Sequence, residues 1–253
     1  DSTANSYYTF NYLNGVFSGI YGSSCYTMYQ SIYGCTDPTA SNYNPNATVD
    51  DGSCWLLGQN CADLFFSEYV EGIDNNDALE IYNPTQDTIN LNSYSISKYI
   101  GATTYQTSFQ LSGFIAPYDV VVITNGQQDS IWVAGPPSFW SVPVNPVLYS
   151  LGDLHADSVY PSPLHIDGDD ALVLNKNGTA IDIFGSIGVD PGIGWTNDTS
   201  ANFTTLNGAV SLTTNRTLIR KAGVQQGVYA NPNYFNPTSE WDILAGGTWG
   251  NLG

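Results

Sequence analysis

From Leu64 onward, short apolar runs alternate with clusters of turn residues. Leu64–Val70, Ala78–Asn83, Tyr94–Tyr99, Ser108–Leu111, Val120–Ile123, Ala171–Asn175, Ala180–Phe184 and Thr217–Lys221 are each strand-length and rich in β-branched or aromatic residues. The run Val120–Ile123 is apolar at every position, which predicts a central strand covered on both faces. Between the sixth and seventh runs, Asn177-Gly178 predicts a tight hairpin, because this dipeptide accepts the positive φ angles that such turns require. Seven to nine short strands with regular turn signals predict an all-β sandwich. Helix is expected only as a short piece around Asp129–Val133.

The pattern differs outside these runs. Residues 1–34 are rich in Tyr, Ser and Gly, with alternations such as Tyr7–Tyr12 that predict one or two strands and no core of their own. Residues 35–61 form a Cys-bounded, Asp/Asn-rich loop, and residues 62–253 carry the sandwich. Within the sandwich, 134–164 break the rhythm with Gly135-Pro136-Pro137, Pro143, Pro146, Pro161 and Pro163. Such a long excursion from a compact domain is usually functional or inserted.

Cysteine usage points to an oxidising compartment. Cys25, Cys35, Cys54 and Cys61 are an even set in a core-poor segment and include no C-x-x-C pair. Three pairings exist; a nested arrangement, Cys35–Cys54 inside Cys25–Cys61, is favoured because it staples the loop and then ties its flanks. Closing a loop of that size stabilises by on the order of 3 kcal/mol.

Charge narrows the partners. Five Lys and Arg stand against 23 Asp and Glu, a net charge of −18. That field repels phosphate backbones and anionic membranes, and the best basic patch, Arg216, Arg220 and Lys221, is small. Direct nucleic-acid binding is not expected. Neither is membrane insertion, since no apolar run reaches the roughly 18 residues that suggest a span. No basic and apolar leader precedes Asp1, as expected if a signal peptide has been removed or lies outside these residues.

Two acidic clusters are candidates for calcium. In the Cys-bounded loop, Asp37, Asn42, Asn44, Asn46, Asp50 and Asp51 offer hard oxygen ligands, but the loop lacks the sixth-position Gly and closing Glu of a twelve-residue calcium frame. The competing reading is turn capping by Asp and Asn side chains. Further on, Asp167-Gly168-Asp169-Asp170 reads either as half of a calcium site completed by Glu68 or Glu71, or as an Asp-Gly turn whose acids bond backbone N–H groups.

Catalytic signals are poor. His155 and His165 lack metal-ligand spacing and are expected to be exposed loop residues. No G-x-S-x-G elbow occurs, and Gly185-Ser186-Ile187-Gly188 is too short to cradle phosphate without a P-loop Lys. Glu68, Glu71, Glu80 and Glu240 could meet in space as a glycosidase-like carboxylate pair, which is weak evidence in so acidic a chain. Among the tryptophans, Trp132 and Trp140 in or beside the excursion are the candidates for a carbohydrate- or protein-binding face, whereas Trp195 and Trp241 read as structural.

Several blocks carry a resemblance: LFFSEYVEGIDNNDALEIYNPTQDTINLNSYSI, FIAPYDVVVITN, DGDDALVLNKNGTAIDIFGSIGVDPGIGW, RTLIRK and FNPTSEWDIL. Together they resemble the bacterial lamin tail domain. This resemblance implies an immunoglobulin-like β-sandwich, here preceded by the disulfide-stapled loop segment that the cysteines suggest, and a non-catalytic module of secreted or cell-surface proteins. Some such modules sit beside extracellular nuclease domains. The stretch GCTDPTASNYNPNATVDDGSC resembles a motif of secreted Bacteroidetes proteins. In that setting O-glycans are expected at Ser2, Thr88, Ser130 and Ser158, each of which follows an Asp. A eukaryotic pathway would instead use Asn-x-Ser/Thr, found at Asn46, Asn177, Asn197, Asn202 and Asn215. The leading expectation is an extracellular or surface binding and structural module with a protein or glycan partner. The alternatives are an accessory domain of a longer nuclease or other hydrolase, and a self-assembling filament or adhesin subunit whose residues 1–34 pair with a neighbour's sheet edge.

Overall fold

Two compact units divide between Gln59 and Asn60. The structure is a computed structural model and describes residues 11–13, 16–21, 24–29, 32–38, 40, 43–50, 63–103 and 106–253. In the first unit, β1 (Asn11–Leu13), β2 (Val16–Tyr21) and β3 (Ser24–Tyr29) form an antiparallel meander, where the alternation predicts one or two strands. A short parallel pair, β4 (Tyr33–Gly34) and β5 (Val49–Asp50), closes the base of the polar loop.

The second unit is the immunoglobulin-like sandwich. In chain order its strands are β6 (Phe65–Glu71), β7 (Ala78–Tyr82), β8 (Ile89–Asn90), β9 (Tyr94–Tyr99), β10 (Gln106–Gln110), β11 (Phe114–Ile115) and β12 (Val120–Thr124). They continue with β13 (Ile131–Val133), β14 (Phe139–Ser141), helix α1 (Pro146–Leu151), β15 (Leu154–His155), β16 (Ala171–Lys176) and β17 (Thr179–Phe184). Last come β18 (Arg216–Arg220), the one-turn α2 (Pro237–Glu240) and β19 (Trp241–Ala245). One sheet runs β15-β12-β7-β6-β18-β19, the other β10-β9-β16-β17. Between them lie Leu79, Ile81, Ile123 and Leu218 from the first sheet, against Tyr94, Ile96, Leu172, Leu174 and Phe184 from the second.

Two local features set which side chains face in. Phe66 pairs with Ile81 but Glu68 with Glu80, so Ser67 is an extra residue, a bulge. The bulge shifts the alternation: Leu64, Phe66 and then Tyr69 point to the core, while Glu68 turns to the opposite face. Tyr69 then stacks on Phe184 with ring centroids 4.4 Å apart. At the β16–β17 turn, Asn177 and Gly178 adopt φ of 50° and 79°, the left-handed pair that the Asn-Gly step predicts.

The strand β12 lies next to the edge of its sheet, paired outside only with the two-residue β15. It is apolar on both faces for another reason. Val121 and Ile123 enter the main core, and Val122 joins Val70, Ala78, Val144, Leu148 and Leu252 in a second cluster on the outer face, which includes Leu148 of α1. The expected helix near Asp129–Val133 is not formed. Instead Ile131–Val133 is β13, paired with β14 across Gly135-Pro136-Pro137, because two prolines and a glycine favour a turn and Trp132 gains a cross-strand partner in Trp140. The helices among the described residues begin where Asn145 and Asn236 cap a proline-led first turn.

Candidate functional site

One end of the sandwich gathers half of the acids that are buried among the described residues. Glu71 closes β6 opposite Arg216, Asp77 precedes β7, and Asp167-Gly168-Asp169-Asp170 leads into β16. Gly168 has φ of 89°, and a Cβ there would lie 2.4 Å from Thr214 Oγ1, so only glycine lets this turn press against the 213–214 segment. Thr213 Oγ1 donates to the Gly168 carbonyl at 2.6 Å and holds the turn in place.

Asp167, Asp169 and Asp170 each bring a carboxylate oxygen into a group whose members all lie within 4.8 Å of one another. Asp170 is 2 % exposed, and its Oδ1 has no hydrogen-bond donor. Its Oδ2 lies 3.1 Å from the buried Lys98 ammonium, an ion pair without hydrogen-bond alignment. Lys98 also donates to the His165 carbonyl. Burial, then the neighbouring Asp167, raises the Asp169 carboxyl; burial also raises Asp170, against the pull of Lys98. Partial burial pushes Asp167 up as well, but its contacts with the neighbouring acids and the Lys98 charge outweigh it and hold Asp167 low. Glu71 is raised to about 7, first by burial, against the Asn215 N–H it accepts, with Asp167 repelling it. Of the two glutamates expected beside this cluster, Glu71 is near it. Glu68 faces Glu80 instead, and burial followed by Glu80 raises Glu68 to about 7.

Beside the acids stands a polar mount for an exposed hairpin. Gln127 Oε1 accepts from Ser141 Oγ at 2.8 Å and from Asn75 Nδ2 at 3.3 Å, and lies 3.2 Å from His165 Nε2. Ser162 N donates to His165 Nδ1 at 3.2 Å, so Nδ1 is the unprotonated nitrogen and Nε2–H donates to Gln127. His165 is therefore buried and neutral, held at about 4 by burial and then by Lys98, which corrects the expectation of an exposed loop residue. Gln127 and Lys98 lie far away in sequence, so only the Ser162 contact is local. Ser162 Oγ sits 2.8 Å from Nδ1, but both residues are buried and Gln127 supplies no carboxylate, so the pair is structural. His155 is half-buried, stacked on Tyr149 and 2.8 Å from Thr124 Oγ1.

On this mount β13 and β14 display Trp132 and Trp140 as a cross-strand pair, 52 % and 62 % exposed, with centroids 5.3 Å apart. Phe139, on the other face of the hairpin, packs edge-on against Tyr160, which packs edge-on against His165. The tryptophans expected to be structural are so: Trp195 and Trp241 are buried, against Phe235 and Phe184 respectively.

The remaining candidates disperse. Glu68 and Glu80 do meet, but both are buried; Glu80 accepts from Ser67 Oγ and Gly253 N, and Glu240 is bound to Arg220. The small candidate basic patch is reduced further, because Arg220 is buried between Asp182 and Glu240. In the Cys-bounded loop Asn44 Oδ1 accepts from Asn46 N, the bond that turn capping calls for. Asp37 is half-buried, while Asn42, Asp51 and the side chain of Asp50 lie outside the described residues. Cys35 is buried and disulfide-bonded; the side chains of Cys25, Cys54 and Cys61 lie outside the described residues, and with them the nested pairing. Thr88, Ser130 and Ser158 are exposed, and Ser2 lies outside the described residues.

The fold defines the class, an immunoglobulin-like sandwich carrying an inserted hairpin. The family model described as Lamin Tail Domain matches residues 58–188, more than half of the chain, and the chain belongs to that family. A search of curated proteins found no match.

Proposed function

We propose that this chain is a non-catalytic, extracellular or cell-surface module that binds neutral glycan through the Trp132–Trp140 hairpin. The observation that carries this reading is the exposure of two cross-strand tryptophans on a hairpin anchored from beneath by buried polar groups. Clustered exposed aromatics mark contact surfaces, and rigid rings cost little conformational entropy to engage. Neither 131–141 nor 159–164 contains a charged residue, although the chain carries −18 overall. An uncharged aromatic face in so acidic a chain favours an uncharged ligand. Exposed Thr88, Ser130 and Ser158 leave the proposed O-glycan sites accessible, in keeping with an extracellular setting.

Affinity electrophoresis through gels containing neutral polysaccharides tests the proposal. Retardation is expected for the parent chain, with roughly tenfold weaker binding for Trp132→Ala or Trp140→Ala. Unretarded migration in every neutral glycan would overturn it, and so would a folded double variant that binds as well as the parent. Capture of a protein partner through the same tryptophans, without glycan binding, would transfer the face to protein recognition.

A further inference from the structure

We propose that Asp167, Asp169 and Asp170 bind a single calcium ion at the end of the sandwich. Three carboxylates converge within 4.8 Å, and a buried oxygen of Asp170 in that cluster has no donor. A buried acceptor left without a donor is costly, so a ligand that satisfies it is favoured. The donors are all oxygen, which selects a hard cation over zinc or copper. The nearest histidine bonds Ser162 through Nδ1 and Gln127 through Nε2, and so offers no free nitrogen.

Charge fits as well. Three carboxylates and the Lys98 ammonium leave a formal −2, which one divalent ion neutralises. Lys98 holds Asp170 Oδ2, which leaves Oδ1 as the buried oxygen without a donor. Access comes from the outer side, where Asp167 is exposed and Asp169 half-buried, so waters complete the six to eight oxygens that calcium takes. The Gly168 turn, pressed against Thr214, keeps the acids from spreading apart. Calcium is proposed rather than magnesium, because a carboxylate-rich site open on one side suits the larger ion with its flexible coordination.

Calorimetric titration and thermal melts of the whole chain, stripped with chelator, test the site. At about 10 mM calcium, roughly ten times the weak dissociation constants of extracellular modules, the midpoint should rise by about 3–6 °C. Asp169→Asn should weaken binding at least tenfold while leaving the circular dichroism unchanged. Asp170→Asn is less diagnostic, since it also strips Lys98 of its partner. Exchange of Asp37, Asp50 and Asp51 for Asn together should leave the affinity as it was. The proposal fails if calcium gives neither heat nor shift. It fails too if magnesium gives an equal shift, which would be screening of the −18 charge, or if the loop exchange abolishes binding that Asp169→Asn spares.

Discussion

Among the described residues the sandwich buries two cation–carboxylate pairs, Arg220–Asp182 and Lys98–Asp170, and surrounds them differently. Asp182 Oδ2 accepts from Phe66 N at 2.9 Å and Arg220 Nη1 at 2.7 Å, and Oδ1 accepts from Val228 N at 2.8 Å. Arg220 reaches Glu240 with its other arm and lies over the Trp241 and Phe65 rings. Both oxygens of Asp182 are used, and the pair links β6, β17, β18 and α2. Asp170 has one ammonium, an oxygen without a donor, and two further acids beside it. A buried charge with its acceptors filled joins strands; one with an acceptor left over, among like charges, favours an added cation.

The sharpest way to break this contrast is Asp182→Ala. It leaves the Arg220 guanidinium buried without its partner and two backbone N–H groups without acceptors, so urea denaturation should register a loss of about 3–5 kcal/mol. A loss below about 1 kcal/mol would show that the filled pair does not hold the strands. Lys98→Met comes next. The metal-free chain should lose about 3 kcal/mol, and calcium should restore more stability than it adds to the parent, because the cluster loses its only ammonium.

Glu68→Gln should act in the opposite direction. Folded Glu68 holds its proton up to about pH 7, whereas unfolded Glu68 releases it near 4.5, so its contribution to stability falls as pH rises across that window. Removing the charge should stabilise the chain by about 1–3 kcal/mol above that window and by almost nothing below it. Glu71 titrates in the same range, so the variant should flatten the pH dependence of urea midpoints without abolishing it. The smallest expected stability change is for Trp140→Ala, under about 0.5 kcal/mol at so exposed a position, with glycan retardation as the sensitive readout.

Much of this architecture is legible in local pattern. The eight predicted apolar runs all became strands, and Asn177-Gly178 made the expected turn. Features that depend on distant partners were not legible. The Ser67 bulge is invisible to alternation, yet it decides that Tyr69 rather than Glu68 enters the core. The β13–β14 hairpin hides because each arm is three residues long and a Gly-Pro-Pro turn reads as an interruption. Glu71, not Glu68, adjoins the acidic turn because β6 ends there. The acids themselves stood out as a short run, but the unpaired oxygen of Asp170 required Lys98 from β9 and the burial around it.

Anomalous scattering from crystals soaked in a lanthanide, a calcium substitute, tests the contrast between the two pairs most directly. The account predicts one strong peak about 2.3–2.6 Å from carboxylate oxygens of Asp167, Asp169 and Asp170, and none beside Asp182. A map empty at the triad, or with its peak only in the Cys-bounded loop, would contradict it.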